Sequence, residues 1–229
     1  MTDDKTLRAV MIMTSHGQLG RAARKTGVWL ESFVAPYFAL RDAGIELTLA
    51  SPAGGMPPID PVSRQVAFPT AARFAADDCC RAALADTLPL TDIYAEDFDA
   101  AFYCGGFGAY WDLAEDPLSA YLIADLHGVG KPVAFIGAAV AALCPALGAG
   151  KRPLAEGKRV TGYSDDAARS AGIFDTLPFS LQQRLGQLGA IFEDSESNPV
   201  IRDGLLVTSA SDSAGDAAAE DLLHIVRSK

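Results

Sequence analysis

Lys131–Leu143 reads KPVAFIGAAVAAL. Pro132–Ile136 is a short, uninterrupted apolar run, as expected of a strand buried on both faces. Gly137 follows where such a strand must turn sharply, and an Ala-rich stretch then opens a helix. This is the layout of a nucleophile elbow. The device pushes one reactive side chain, Ser or Cys, into a strained and exposed position at the C-terminal edge of a sheet. Here that position carries Gly137, with Ala138 and Ala139 behind it. The scaffold reads as that of an enzyme, without the reactive group.

Working outward, strand and helix signals alternate along the chain. Leu7–Met13, Ile45–Ala50, Asp99–Cys104 and Pro132–Ile136 read as buried strands. Gly27–Ala43 has helical apolar spacing with Pro36 as a kink, and Gly44 is a natural helix stop. Ala71–Leu88 and Pro117–Val129 are further helices. Arg159–Tyr163 reads as a strand before a polar segment, Ser164–Ala171, and a helix follows at Pro178–Leu188. Short strands come near Ala190–Phe192, Pro199–Arg202 and Leu205–Thr208, and Ala214–Val226 is the last helix. Buried strands alternating with helices imply an α/β protein with a mostly parallel central sheet covered on both faces. Functional sites in such sheets lie at the C-terminal strand ends. Those ends are Ser15–Gly17, Ser51, Cys104–Gly108, Gly137 and Tyr163–Asp166. No repeat, linker or shift in composition divides the chain, so residues 1–229 are expected to form one domain.

Hydrophobic residues make up 49% of the 229 residues and charged residues 21%, which fits a folded globular chain. The net charge of −10 argues against nucleic acid and anionic membranes as partners, since both select basic surfaces. The N-terminal stretch has acids where a signal peptide has bases, so a cytoplasmic location is expected. Cys79-Cys80, Cys104 and Cys144 lack metal-ligand spacing, and His16, His127 and His224 lie far apart. No metal and no cofactor are expected.

The strand ends also carry a likeness that runs over nearly the whole chain. It stands in Lys25–Ser32 (KTGVWLES), Ala50–Ser63 (ASPAGGMPPIDPVS), Asp97–Asp112 (DFDAAFYCGGFGAYWD), Gly130–Ala134 (GKPVA), Gly157–Ser164 (GKRVTGYS), Leu177–Phe179 (LPF) and Asp203–Thr208 (DGLLVT). On these segments the sequence resembles the ThiJ/PfpI family of the class I glutamine-amidotransferase-like superfamily, in the branch of heat-shock chaperones and cofactor-independent glyoxalases. The resemblance implies a flavodoxin-like α/β/α sandwich. It also implies chemistry by an elbow cysteine, a histidine directly after it, a glutamate from the first long helix and, in many members, a later acid. Carried over by motif, these fall on Gly137, Ala138, Ser32 and Ala168. The usual G-G-H-G loop stands here as Gly105-Gly106-Phe107-Gly108, and the late G-Q-N-P motif is replaced by Ser209-Ala210-Ser211-Asp212. A nucleophile and its supporting groups act as a unit, so losing the thiol frees its partners to drift.

The expectation is therefore a catalytically degenerate family member. It would act by binding a small molecule, by associating with itself as a homodimer or with a related protein, or as a holdase chaperone. The alternative is an enzyme that reuses the pocket without cysteine, a lyase, hydratase or isomerase on a small carbonyl compound. Proton transfer would then fall to His16, Asp165, Asp166, Tyr163 or Ser32. A glyoxalase or hydrolase using Cys104, which ends the third strand beside the elbow, comes last; a buried strand-end Cys is read first as packing. Glu31 is one helical position off the family's glutamate, about 100° round the helix, and is read as a rim carboxylate. Ser164-Asp165-Asp166 before an Ala-rich stretch is read as a helix cap. His16 is the one histidine placed near the site, and Trp29 is read as core or dimer contact. The pocket is expected from Gly105, Gly106, Phe107, Trp111, Gly137, Ala138 and Tyr163. Phe107 either plugs the space the missing side chains leave or lines it for an apolar ligand. Restoring Gly137→Cys, Ala138→His and Ser32→Glu is expected to recover a reactive thiol if the pocket is otherwise intact.

Overall fold

The computed structural model describes residues 6–21, 24–193 and 199–228. The strands are β1 (Arg8–Ile12), β2 (Glu46–Ser51), β3 (Leu88–Pro89), β4 (Ala100–Tyr103), β5 (Val133–Ile136), β6 (Arg159–Val160), β7 (Ile191–Phe192), β8 (Val200–Asp203) and β9 (Leu206–Ser209). The α-helices are α1 (Leu30–Asp42), α2 (Ala71–Ala76), α3 (Asp78–Ala85), α4 (Pro117–Gly128), α5 (Asp165–Ser170), α6 (Leu181–Gln187) and α7 (Gly215–Arg227). Seven strands form one sheet in the order β3-β2-β1-β4-β5-β9-β8. Every neighbouring pair is parallel except β8 and β9.

Side chains alternate across this sheet, so each central strand feeds two cores. Val10, Ile12, Ala101, Tyr103, Val133 and Phe135 face α4, α6 and the 137–143 segment. Met11, Phe102, Ala134, Ile136 and Val207 face α1, α3 and α7. That is why these strands read as continuous apolar runs rather than alternating ones. Tyr103 and Phe135, partners across β4 and β5, stack with ring centroids 4.9 Å apart. The flavodoxin-like α/β/α architecture expected from the sequence is present. From β1 the chain moves outward through β2 to β3, then returns to β4 on the other side. The sheet thus changes direction between β1 and β4, a point at which α/β sheets commonly bind ligands.

Several elements differ from the sequence reading. The single helix expected over Ala71–Leu88 is two, because Asp77 interrupts it. Its carboxylate accepts from the Cys80 N–H at 2.8 Å, capping α3, and pairs with Arg41 at 2.7 Å. The Ala-rich stretch after the elbow forms 3₁₀ turns over Gly137–Leu143 instead of an α-helix. All of its residues are buried, and packing overrides the helix propensity of alanine. The strand expected over Arg159–Tyr163 shrinks to β6, which pairs only with β7 in a separate two-stranded sheet. α1 runs from Leu30 to Asp42 through Pro36. Ser164 caps α5, accepting from the Ala167 N–H at 3.2 Å, as read from the sequence.

Candidate pocket above the strand ends

β5 delivers Gly137 into a left-handed turn with φ +54°, a conformation that favours glycine and strains any other residue. The elbow geometry therefore survives without its side chain. The space a side chain would enter is filled from elsewhere. A Cβ on Gly137 would lie 2.8 Å from Asp212 Oδ1, and one on Gly105 would lie 1.9 Å from the same atom. Asp212 thus seats its carboxyl in a notch that exists only because both neighbours are glycines. It arrives from the turn after β9, the next parallel strand beyond β5.

Asp212 as a residue is partly exposed, yet its Oδ1 is sealed from solvent and has no hydrogen-bond partner among the described residues. Burial, then the charges of Glu31 and Asp60, push its carboxyl up to about 7. Beside it opens a pocket of about 400 Å³, with Trp29, Glu31, Phe107, Tyr163, Ser211 and Asp212 in its wall. Phe107 meets Tyr163 edge-to-face, with ring centroids 4.9 Å apart at 75°. Phe107 is thus part of the wall of an open pocket and does not plug it. The Glu31 carboxyl is raised by partial burial and by Asp216, while a side-chain hydrogen bond with Trp29 acts the other way. Tyr163 is raised by burial and by Asp212, and Arg24 opposes the shift.

The positions that the resemblance sets against catalytic groups make contacts within the scaffold. The buried Ser32 Oγ donates to the carbonyls of Trp29 (2.7 Å) and Gly105 (3.1 Å). The Trp29 N–H also donates to Gly105 at 2.9 Å, so the start of α1 is tied to the Gly105-Gly106 turn. Ala138 is buried in the core, and Ala168 packs with Leu19 and Ile173.

The proton-transfer candidates are not gathered at the pocket, apart from Tyr163. His16 stacks on Trp111 at 5.3 Å, and its Nε2 lies 2.6 Å from the Gln18 carbonyl oxygen. Its segment is bolted down by Asp112. That partly buried carboxyl accepts from Thr14 Oγ1 (2.8 Å) and the N–H groups of Ser15 (2.7 Å), His16 (3.1 Å) and Leu113 (2.6 Å). Trp111 belongs to this packing and not to the pocket wall. Asp165 accepts from Ser180 Oγ at 2.7 Å, and Asp166 is exposed and paired with Arg169 at 3.0 Å. Both do helix-end work.

Cys104 lies at the end of β4, fully buried. Burial and the nearby Asp212 both push its thiol far up, which opposes thiolate formation. Burial likewise pushes the Cys80 and Cys144 thiols up to about 12. Cys79 is exposed on α3. Among the described residues no group of His, Cys, Asp and Glu could hold a metal ion, and no helix is long and apolar enough to cross a membrane.

Sequence reasoning missed Asp212 and placed Trp29 in the core or at a dimer contact. The usable signal was positional: β9 is also a parallel strand, and Ser209–Asp212 is its C-terminal end. Glu31 lines the pocket together with Asp212.

Comparison with known proteins agrees with this architecture. A model of the DJ-1/PfpI family matches residues 26–224. The glutamine amidotransferase-like class 1 domain-containing protein 1 of Bos taurus is 29% identical over 205 residues, covering 89% of this chain and 90% of its own. The X-ray structure of the Rapid Encystment Protein 24 KDa of Francisella tularensis superposes with a TM-score of 0.92 at 26% identity, covering 96% of this chain and 99% of that one. Glyoxalase III from Candida albicans shares the fold, with a TM-score of 0.88 at 21% identity over 96% of this chain and 97% of its own.

Proposed function

The chain belongs to the DJ-1/PfpI family, and on that premise we propose that it is a thiol-independent member that acts by binding a small molecule above Gly137. One observation carries this reading. The elbow's side-chain space holds the Asp212 carboxyl, and a pocket of about 400 Å³ stays open beside it. That volume lies within the usual range for small-molecule sites, roughly 300–1,000 Å³. With three of the four cysteines buried and their thiols raised, cysteine chemistry has no activated nucleophile to use.

Trp29 and Trp111 are the chain's two tryptophans, and only Trp29 lines the pocket. Small fragments of differing charge, titrated into ¹⁵N-labelled protein, should move the Trp29 indole N–H resonance and leave that of Trp111 in place. Methylglyoxal should not be turned over above buffer. If no fragment of any charge moves Trp29, or if iodoacetamide maps to a pocket thiol, the reading fails.

A second reading is favoured by Asp212 itself. A buried carboxyl raised to about 7 suits proton transfer near neutral pH. It would take a proton from the carbon beside a carbonyl and return it to a neighbouring atom, an isomerisation that needs no cofactor. Turnover of a small carbonyl compound that persists in a cysteine-free variant and vanishes in Asp212→Asn would select it. Self-association or pairing with a related protein is a separate part of the proposal, checked by sedimentation of the purified chain.

A further inference from the structure

The pocket wall has a definite electrostatic character. Asp212 and Glu31 both line it, while Lys, Arg and His are absent from its lining among the described residues. The remaining bulk is aromatic: Trp29, Phe107 and Tyr163. A carboxylate in an apolar enclosure needs a partner, because solvent cannot screen its charge there. Asp212 Oδ1 has none among the described residues, sealed in the notch between Gly105 and Gly137 at the pocket's edge. Aromatic rings attract cations through their negative faces, and acidic groups beside them add a direct charge contact.

We propose that this pocket is a site for a small organic cation, a primary or substituted ammonium carrying an apolar body, with the charge at Asp212 and Glu31 and the body against Trp29, Phe107 and Tyr163. The inference rests on the reading that the pocket binds a small molecule, and it adds the class of that molecule. An anionic ligand would meet two carboxyl groups with no basic side chain in the lining. A neutral ligand would gain no charge contact with Asp212 or Glu31.

The site should also respond to pH. The groups that act on the Asp212 carboxyl come from several elements. Glu31 on α1 and Asp60 in the 51–63 loop raise it. Cys104 at the end of β4 and Tyr163 each feel its charge. Asp216 on α7 acts on Glu31, and Arg24 acts on Tyr163 from outside the pocket lining. Acids dominate this set, so a proton on Asp212 relieves repulsion, and a bound cation displaces that proton. Binding should therefore strengthen as pH rises and release a proton.

The test is a matched series, benzylammonium, benzyl alcohol and benzoate, titrated into ¹⁵N-labelled full chain at pH 6 and pH 8 and read at the Trp29 indole. Benzylammonium should bind most tightly and weaken by about tenfold from pH 8 to pH 6. Asp212→Asn should weaken it at least as much and flatten its pH dependence, and Glu31→Gln should give a smaller loss. Benzyl alcohol or benzoate binding as tightly as benzylammonium would overturn the inference, as would an affinity indifferent to pH. If the alcohol moves Trp29 while the ammonium does not, only the cation class falls. If none of the three moves it, the small-molecule reading falls as well.

Discussion

Asp212 carries an energetic signature that can be measured without any ligand. Its folded-state pKa is about 7, raised from an ordinary 3.8, so the folded protein holds the proton more tightly than the unfolded chain does. Between those values the native state binds more protons, and stability falls as pH rises through the window. Replacing the carboxyl by an amide removes this penalty. Asp212→Asn should stabilise the protein by on the order of 1–3 kcal/mol at pH 8, with the gain fading toward pH 4. Urea unfolding at both pH values checks this, and an equal gain at both would mean that Asp212 titrates normally. The same residue revises the expected thiol rescue. A Cβ at Gly137 would lie 2.8 Å from Asp212 Oδ1 and in a strained left-handed turn. Gly137→Cys with Ala138→His and Ser32→Glu should therefore stay unreactive and lose stability, by about 2 kcal/mol or more. Adding Asp212→Ala should open the notch, and iodoacetamide labelling of the new thiol would report it. Labelling in the triple variant with Asp212 intact would show that the carboxyl moves aside freely.

At the scale of elements, the loops that frame the pocket are held by a few buried polar atoms. Asp112 satisfies N–H groups of Ser15, His16 and Leu113 together with the Thr14 hydroxyl, fixing the turn after β1. Asp112→Ala takes this acceptor from all of them, leaving the His16 N–H only Thr14 Oγ1 at 2.9 Å, and should cost about 2–4 kcal/mol, seen as a lowered denaturation midpoint. Ser32 joins the first turn of α1 to the Gly105 carbonyl. Ser32→Ala should cost about 1 kcal/mol and broaden the Trp29 indole signal, since Trp29 begins that turn. These details explain what could be read in advance. The Ser164 cap of α5 was legible because capping depends on a few adjacent residues. The break at Asp77 was not, because the Arg41 that supports it lies on another helix. The 3₁₀ turns at Gly137–Leu143 were hidden for a similar reason: alanine favours an α-helix locally, and burial on all sides decides otherwise.

For the whole molecule, the central strands β1, β4 and β5 lie between two apolar cores, while β3 and β8 are edges and β6-β7 stands apart. Hydrogen exchange should rank them in that order, with β1 and β4 amides opening only on global unfolding and β6-β7 exchanging first. Early exchange in β4 would contradict the layered core. The apolar runs within Leu7–Met13, Asp99–Cys104 and Pro132–Ile136 were enough to predict the central strands, because burial on both faces is written into composition residue by residue. That the elbow position carries no side chain was equally plain, since it is the identity of Gly137. What fills the space above it was not. Asp212 lies 75 residues beyond Gly137 and meets it only because β9 pairs beside β5 in the sheet. Spacing along the chain carries local geometry, helix faces and strand alternation. The meeting of two strand ends, and the burial that lifts a carboxyl to neutral pH there, exist only once the sheet has closed around them.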